Sequence, residues 1–107
     1  MFTVRFTRDS VCMGDDISDN SRDIEFYCDS ADVRVLIPTL KANGFFPSIA
    51  GNGMMWKIVN AFHEPILDYY TGSGVIVYRV RRKKHIKNIC GGELALHCVY
   101  YSNYRKG

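Results

Sequence analysis

Nowhere in the 107 residues is there an apolar run approaching the roughly 20 that a membrane helix needs. Met1 leads directly into the strand-like alternation Phe2-Thr3-Val4-Arg5, with no basic stretch followed by an apolar one, so neither a membrane span nor a secretion signal is expected. Cys-x-x-Cys is also missing. Cys12, Cys28, Cys90 and Cys98 are scattered, and without a secretory context they are expected as small buried hydrophobes in a reducing, cytoplasmic compartment. The lack of any Asn-x-Ser/Thr acceptor agrees with that placement. Catalytic signatures are equally scarce. His63-Glu64 has Leu67 where a His-Glu-x-x-His motif needs its second histidine, Gly72-Ser73-Gly74 is no nucleophile elbow, and no dinucleotide or Walker loop occurs. These absences point away from an enzyme.

What is present suits one compact domain spanning 1–107. With 47% apolar and 13% aromatic residues the chain can bury a core without staples, which argues against intrinsic disorder. Phe2, Val4 and Phe6 alternate with Thr3, Arg5 and Thr7, a period-2 strand. Residues 9–22 switch to Asp, Ser, Asn and Gly, a long polar connection into which the strand can extend through Val11 and Met13. Ile24, Phe26 and Cys28 then give a second strand. Asp29 or Ser30 can cap a helix carrying Val33, Leu36, Ile37 and Leu40 at i, i+3, i+4 and i+7, ending at Asn43-Gly44. Pro38 predicts a kink in it, or a stop near Ile37. Met54–Phe62 reads as a central strand, Ile66–Tyr70 and Val75–Arg79 as a hairpin around Thr71-Gly72-Ser73-Gly74, and Glu93–Tyr101 as the last strand after a basic connection.

The expectation is an α+β fold: a mainly antiparallel sheet of five to six strands with one helix packed on it, in the order ββαββββ. The opening ββαβ over roughly residues 2–80 resembles the β-grasp, or ubiquitin-like, arrangement. That resemblance rests on element order and implies no functional residues.

Charge is the most informative feature. Residues 1–34 hold eight acids against four bases, while residues 35–107 hold ten bases against Glu64, Asp68 and Glu93, within a net charge of +3. Six fixed cations, Arg79, Arg81, Arg82, Lys83, Lys84 and Lys87, fall within nine residues, with Tyr78 before them and Tyr100, Tyr101 and Tyr104 near the end of the chain. Were Val75–Arg82 a strand, Arg79 and Arg81 would share one face and Arg82 and Lys84 the other. The partner-binding candidates are therefore Arg79, Arg81, Arg82, Lys83, Lys84, Lys87, Tyr100 and Tyr101. Cations that neutralise acids or phosphates, beside aromatic faces, suit an acidic protein surface, a nucleoprotein or nucleic acid itself; plain solvation is the bland alternative.

Metal chemistry is weaker. Residues 14–20 do not match the EF-hand pattern, so calcium is not expected. Cys90, Cys98, His97 and His85, completed by Cys12 or Cys28, contain the donor types of a zinc site, but His97 and Cys98 face opposite sides of a strand. The expectation is no cofactor, with zinc as the alternative. Phe45, Phe46, Met54, Met55 and Trp56 read as core, or alternatively as an exposed protein-binding patch. Together these features predict a small non-enzymatic binding or inhibitor protein that covers an acidic protein or nucleoprotein with its basic hairpin. One version is an inhibitor carried by a phage or other mobile element, such as an anti-CRISPR protein, though no residue motif marks that class. The alternatives are a nucleic-acid-binding module and a zinc-stapled structural module.

Overall fold

The computed structural model describes residues 1–9, 21–46 and 54–101. The elements are β1 (Phe2–Arg8), β2 (Ser21–Phe26), a 3-10 turn (Val33–Val35), α1 (Leu36–Ala42), β3 (Met55–Asn60), β4 (Pro65–Tyr70), β5 (Ile76–Tyr78), α2 (Ile86–Ile89) and β6 (Ala95–Tyr101). The strands form one mixed sheet in the order β2-β1-β6-β3-β4-β5. Every neighbouring pair is antiparallel except β1 and β6, which run parallel in the interior of the sheet. The fold is thus α+β and dominated by its sheet.

The period-2 pattern of β1 works as the sequence implies: Phe2, Val4 and Phe6 are buried while Thr3 and Arg5 are exposed. Their face continues through Ile24 and Phe26 of β2, Leu96 and Cys98 of β6, Trp56 and Ile58 of β3 and Leu67 and Tyr69 of β4. Leu36, Ile37 and Leu40 of α1 belong to the same core. Aromatic rings run through it in a chain from Phe2 and Phe26 through Phe6, Phe45 and Phe46 to Trp56 and Tyr100, with neighbouring centroids 5.1–6.4 Å apart. The Phe45, Phe46 and Trp56 cluster is therefore core, and no exposed patch. Arg8 also lies on this face, buried, with its guanidinium 5.9 Å from the Phe45 ring centroid.

Pro38 neither kinks nor stops the helix. The Asp32 carboxylate caps the 3-10 turn by accepting from Arg34 N–H, and α1 starts only at Leu36, which puts Pro38 in the first helical turn. Backbone N–H groups there have no intrahelical partner, so the one proline lacks is not missed. At the other end Gly44 adopts φ 63°, donating to Lys41 C=O while Phe45 N–H donates to Leu40 C=O. This is a Schellman cap, whose left-handed residue favours glycine. Arg22 hooks the end by donating to Asn43 C=O.

Two expectations about the second half require correction. The order is ββαβββαβ rather than ββαββββ, because the basic connection contains α2. Ile86 and Ile89, three apart and both buried, explain it: one turn of helix places both on the core, too short a repeat to stand out inside a cationic run. Likewise β5 ends at Tyr78, so Arg81, Arg82 and Lys84 do not alternate on the faces of a strand. The expected extension through Val11 and Met13, the acidic residues 14–20, the Gly51-Asn52-Gly53 turn and the Tyr104 tail lie outside the described residues. Among the described residues no helix is long and apolar enough to cross a membrane.

Candidate functional site

The cationic residues form a strap that leaves β5 at the edge of the sheet and crosses one end of it. Arg79 N–H donates to Ile66 C=O at 2.8 Å, closing the β4–β5 ladder. The next four residues, Arg81-Arg82-Lys83-Lys84, make a tight turn closed by Lys84 N–H to Arg81 C=O at 3.0 Å. Beyond the turn, Lys84 C=O accepts from Val33 N–H, His85 bridges to Asp32, and Ile86 N–H donates to Ala31 C=O. The strap then enters α2, whose Ile89 C=O accepts from the buried Asn60 side chain at 2.9 Å. Asn60 also donates to Glu64 and accepts from Phe62 and Glu64 N–H, so all four of its hydrogen-bonding positions are used. Four consecutive cations repel one another, yet the backbone holds them in one turn pinned on both sides.

The structure sorts these cations by their partners. Arg79 is committed to Asp68, donating through Nη2 at 2.6 Å and Nε at 3.1 Å, and the carboxylate raises the guanidinium pKa further. Lys87 lies 5.7 Å from the Phe2 ring centroid, and its charge helps hold Asp29 below the usual carboxylate range, behind the effect of the chain's N-terminal ammonium. Arg34, added to the same end of the molecule by the 3-10 turn, is held by Asp32 at 2.6 Å. Arg81, Arg82, Lys83 and Lys84 are exposed and form no ion pair among the described residues. Arg81, Lys83 and Lys84 line an open concavity of about 400 Å³. A second, of about 430 Å³, lies against Arg79 and Lys84 on one side and Asn60, Glu64 and Asn88 on the other.

Tyr100 and Tyr101 are not brought to this strap. Tyr100 packs on Trp56 at 5.1 Å and is half-buried, and Tyr101 lies near the Lys57 ammonium at 5.8 Å. In register, Tyr100 is level with Ile76 across β3 and β4. Three strand spacings, about 14 Å, and three residues along the strand, about 10 Å, therefore separate it from Arg79. Tyr78 stands beside the cations, half-buried, with the Arg82 guanidinium 6.0 Å from its ring centroid.

A constellation invisible in the sequence lies on the opposite face of the sheet. Parallel pairing of β1 with β6 sets Thr7 beside His97, with Thr7 Oγ1 and His97 Nδ1 2.6 Å apart. His97 Nε2 meets Asp9 Oδ1 at 2.8 Å, and the other Asp9 oxygen accepts from Tyr100 N–H. A hydroxyl, imidazole and carboxylate in series suit nucleophile activation. The His97 and Asp9 side chains are 38% and 41% exposed, on the face opposite the core. The array ties β1 to β6. Sequence separations of 90 and 88 residues kept it from view.

The zinc donors are dispersed. Cys90 and Cys98 are buried free thiols, Cys28 is exposed, His97 lies on the face opposite Cys98, and Cys12 falls outside the described residues. No group of three or more metal-ligating side chains occurs among the described residues.

Burial raises the Cys90 thiol to about 11 and Cys98 further, whereas hydrogen bonding to Ser30, 3.0 Å away, lowers Cys28. In a Cys12→Ser background, iodoacetamide at pH 8 is expected to modify Cys28 alone, the buried pair reacting only on unfolding; intact mass spectrometry checks this. A thiol pKa raised by folding contributes stability that is full below the unfolded value near 8.5 and is lost as pH rises through about 11. Denaturation midpoints should therefore fall between about pH 9 and 11, and less so in Cys90→Ala.

No family model, curated protein or solved structure matches the chain.

Proposed function

We propose that this chain is a binding protein, not an enzyme, and that it covers an acidic segment of a protein partner with the turn Arg81-Arg82-Lys83-Lys84. The observation that carries the reading is the selective neutralisation of the strap: Asp68 occupies Arg79 and Asp32 occupies Arg34, while the four turn cations have no acidic partner among the described residues and three of them line one concavity. A solvated face needs no such anchoring, because mobile lysines and arginines serve solubility equally well. The hydrogen bonds from Val33, Ile86 and Asn60 hold the turn in place before any partner arrives, which reduces the ordering cost of binding.

Separation of Tyr100 and Tyr101 from the cations favours acidic protein over nucleic acid. Single-stranded nucleic acid is held by aromatic faces as well as by charge, and among the described tyrosines the one with a turn cation over its ring is the half-buried Tyr78. The β-grasp resemblance is retained as part of the proposal, supported by the parallel pairing of β1 with β6 in the interior of the sheet.

Fluorescence titration tests the choice of partner. An eight-residue peptide of alternating glutamate and valine, oligo-dT of eight nucleotides and an eight-base-pair duplex are each titrated at about 0.1 M salt, where the screening length is roughly 10 Å. The peptide is expected to bind more tightly than either nucleic acid despite carrying less charge. Tighter binding of dT or duplex, with a steep salt slope, would replace the proposal with the nucleic-acid reading.

A further inference from the structure

We infer that β5 is a docking edge, onto which an extended acidic peptide adds as a seventh strand before its carboxylates reach the basic turn. This rests on the proposed acidic partner and states how that partner is held.

The ladder register exposes the edge. Tyr70 N–H donates to Val75 C=O and Arg79 N–H to Ile66 C=O, so residues 75, 77 and 79 are the ones that bond to β4. The intervening Ile76 and Tyr78 direct their N–H and C=O groups away from β4, and no strand lies beyond β5 among the described residues. Two residues thus present two donors and two acceptors in line.

The two edges of the sheet are treated differently. On β2, Arg22, Asp23 and Glu25 occupy half of a six-residue strand; Asp23 pairs with Arg5 and Arg22 is drawn to the end of α1. Charges placed along an edge in this way discourage a further strand. By contrast, β5 reads Ile76-Val77-Tyr78, without charge, proline or bulge, and Val75 and Val77 are exposed by 50% and 37%. At three residues the edge is too short to template a long sheet, so what it offers a partner is the outward donors and acceptors of Ile76 and Tyr78.

Charge complementarity identifies that occupant. Immediately beyond Tyr78 the chain carries Arg79, occupied by Asp68, and then four cations with no acidic partner among the described residues. A second copy of β5 pairing antiparallel would set the two basic turns at opposite ends of the pair, giving neither an acidic partner, and one pairing parallel would bring them together, where they repel. A strand with apolar side chains at Val75 and Val77 and carboxylates beyond Tyr78 satisfies both the edge and the turn. In this mode main-chain hydrogen bonds supply affinity and the flanking side chains supply selectivity.

The test uses the intact protein and two probes of equal charge: the eight-residue glutamate–valine peptide, and the same peptide N-methylated at every residue so that it cannot donate to an edge. Binding is read by fluorescence, and amide exchange of Ile76 and Tyr78 by NMR. The expected result is at least about tenfold weaker binding of the methylated peptide, with slowed exchange at both amides only when the unmodified peptide is bound. Ile76→Pro, which removes an outward N–H while sparing the bonds to β4, should weaken the unmodified peptide to the same degree. Equal binding of the two peptides without protection at Ile76 and Tyr78 would overturn the edge while leaving the acidic-partner proposal intact. Failure of both to bind would overturn both, and a dimer protected at these amides without peptide would assign the edge to a second copy.

Discussion

Replacing Trp56 by alanine is expected to lower folding stability by about 3–5 kcal/mol, the range for deleting a large aromatic ring from a packed core. Trp56 is 1% exposed and central: its ring meets Phe46 at 5.3 Å and Tyr100 at 5.1 Å, and its backbone pairs with Tyr69 on one side and Tyr100 on the other. Truncation removes the joint between Phe46 and Tyr100 of β6, leaving Phe46 in contact with Tyr69 of β4 at 5.6 Å. Surrounding strands cannot collapse into the space, because each is fixed in register by its neighbours. Trp56→Phe keeps much of the volume and should cost less than half as much. Urea denaturation followed by circular dichroism measures both; a loss under about 1 kcal/mol for Trp56→Ala would show that this ring is not the keystone of the core.

Reversing three charges of the turn, Arg81→Glu with Lys83→Glu and Lys84→Glu, is expected to weaken binding of acidic peptide at least about tenfold while leaving the fold unharmed. A surface ion pair contributes about 0.2–1 kcal/mol, and reversal converts each attraction into a repulsion of similar size. Three such changes amount to about 1–6 kcal/mol, or roughly tenfold to ten-thousandfold in affinity. Stability should stay within about 0.5 kcal/mol of the parent or rise, since four adjacent cations repel one another and none is committed to an acid among the described residues. Arg79→Ala is the informative contrast. It strands Asp68, whose side chain is 2% exposed and whose Oδ1 already has no hydrogen-bond partner, so it should destabilise the protein more than it weakens binding. Equal loss of affinity from Arg79→Ala and from the triple reversal would refute the division of the strap into structural and available cations.

The parts of the fold legible in sequence were those governed by local periodicity. Phe2, Val4 and Phe6 repeat every second residue, and Val33, Leu36, Ile37 and Leu40 repeat at helical spacing, so a strand and a helix follow from burial of one face. Pro38 misled because its effect depends on position within a helix, and that position is set by the Asp32 cap upstream. Helix α2 escaped notice because two isoleucines among lysines are too few to establish a period.

Legibility at the candidate site divides the same way. The cations are consecutive, so their cluster is plain in the chain, whereas Asp68, which removes Arg79 from the available set, arrives across a strand pairing. Tyr100 and Tyr101 are near the chain's end but not near the strap, since β6 lies on the far side of β3 and β4. Thr7, His97 and Asp9 are joined only through the parallel pairing of β1 with β6, which no local pattern announces.

Backbone amide shifts in the intact protein, followed by NMR during titration with the glutamate–valine peptide, bear most directly on the proposed function. Saturable shifts centred on residues 81–84, extending to Ile76 and Tyr78 and sparing Thr7 and His97, are the expected result. Shifts centred on Thr7 and His97 or on β2 with the turn unmoved, or no saturable shift at millimolar peptide, would contradict the assignment of the basic turn as the binding surface.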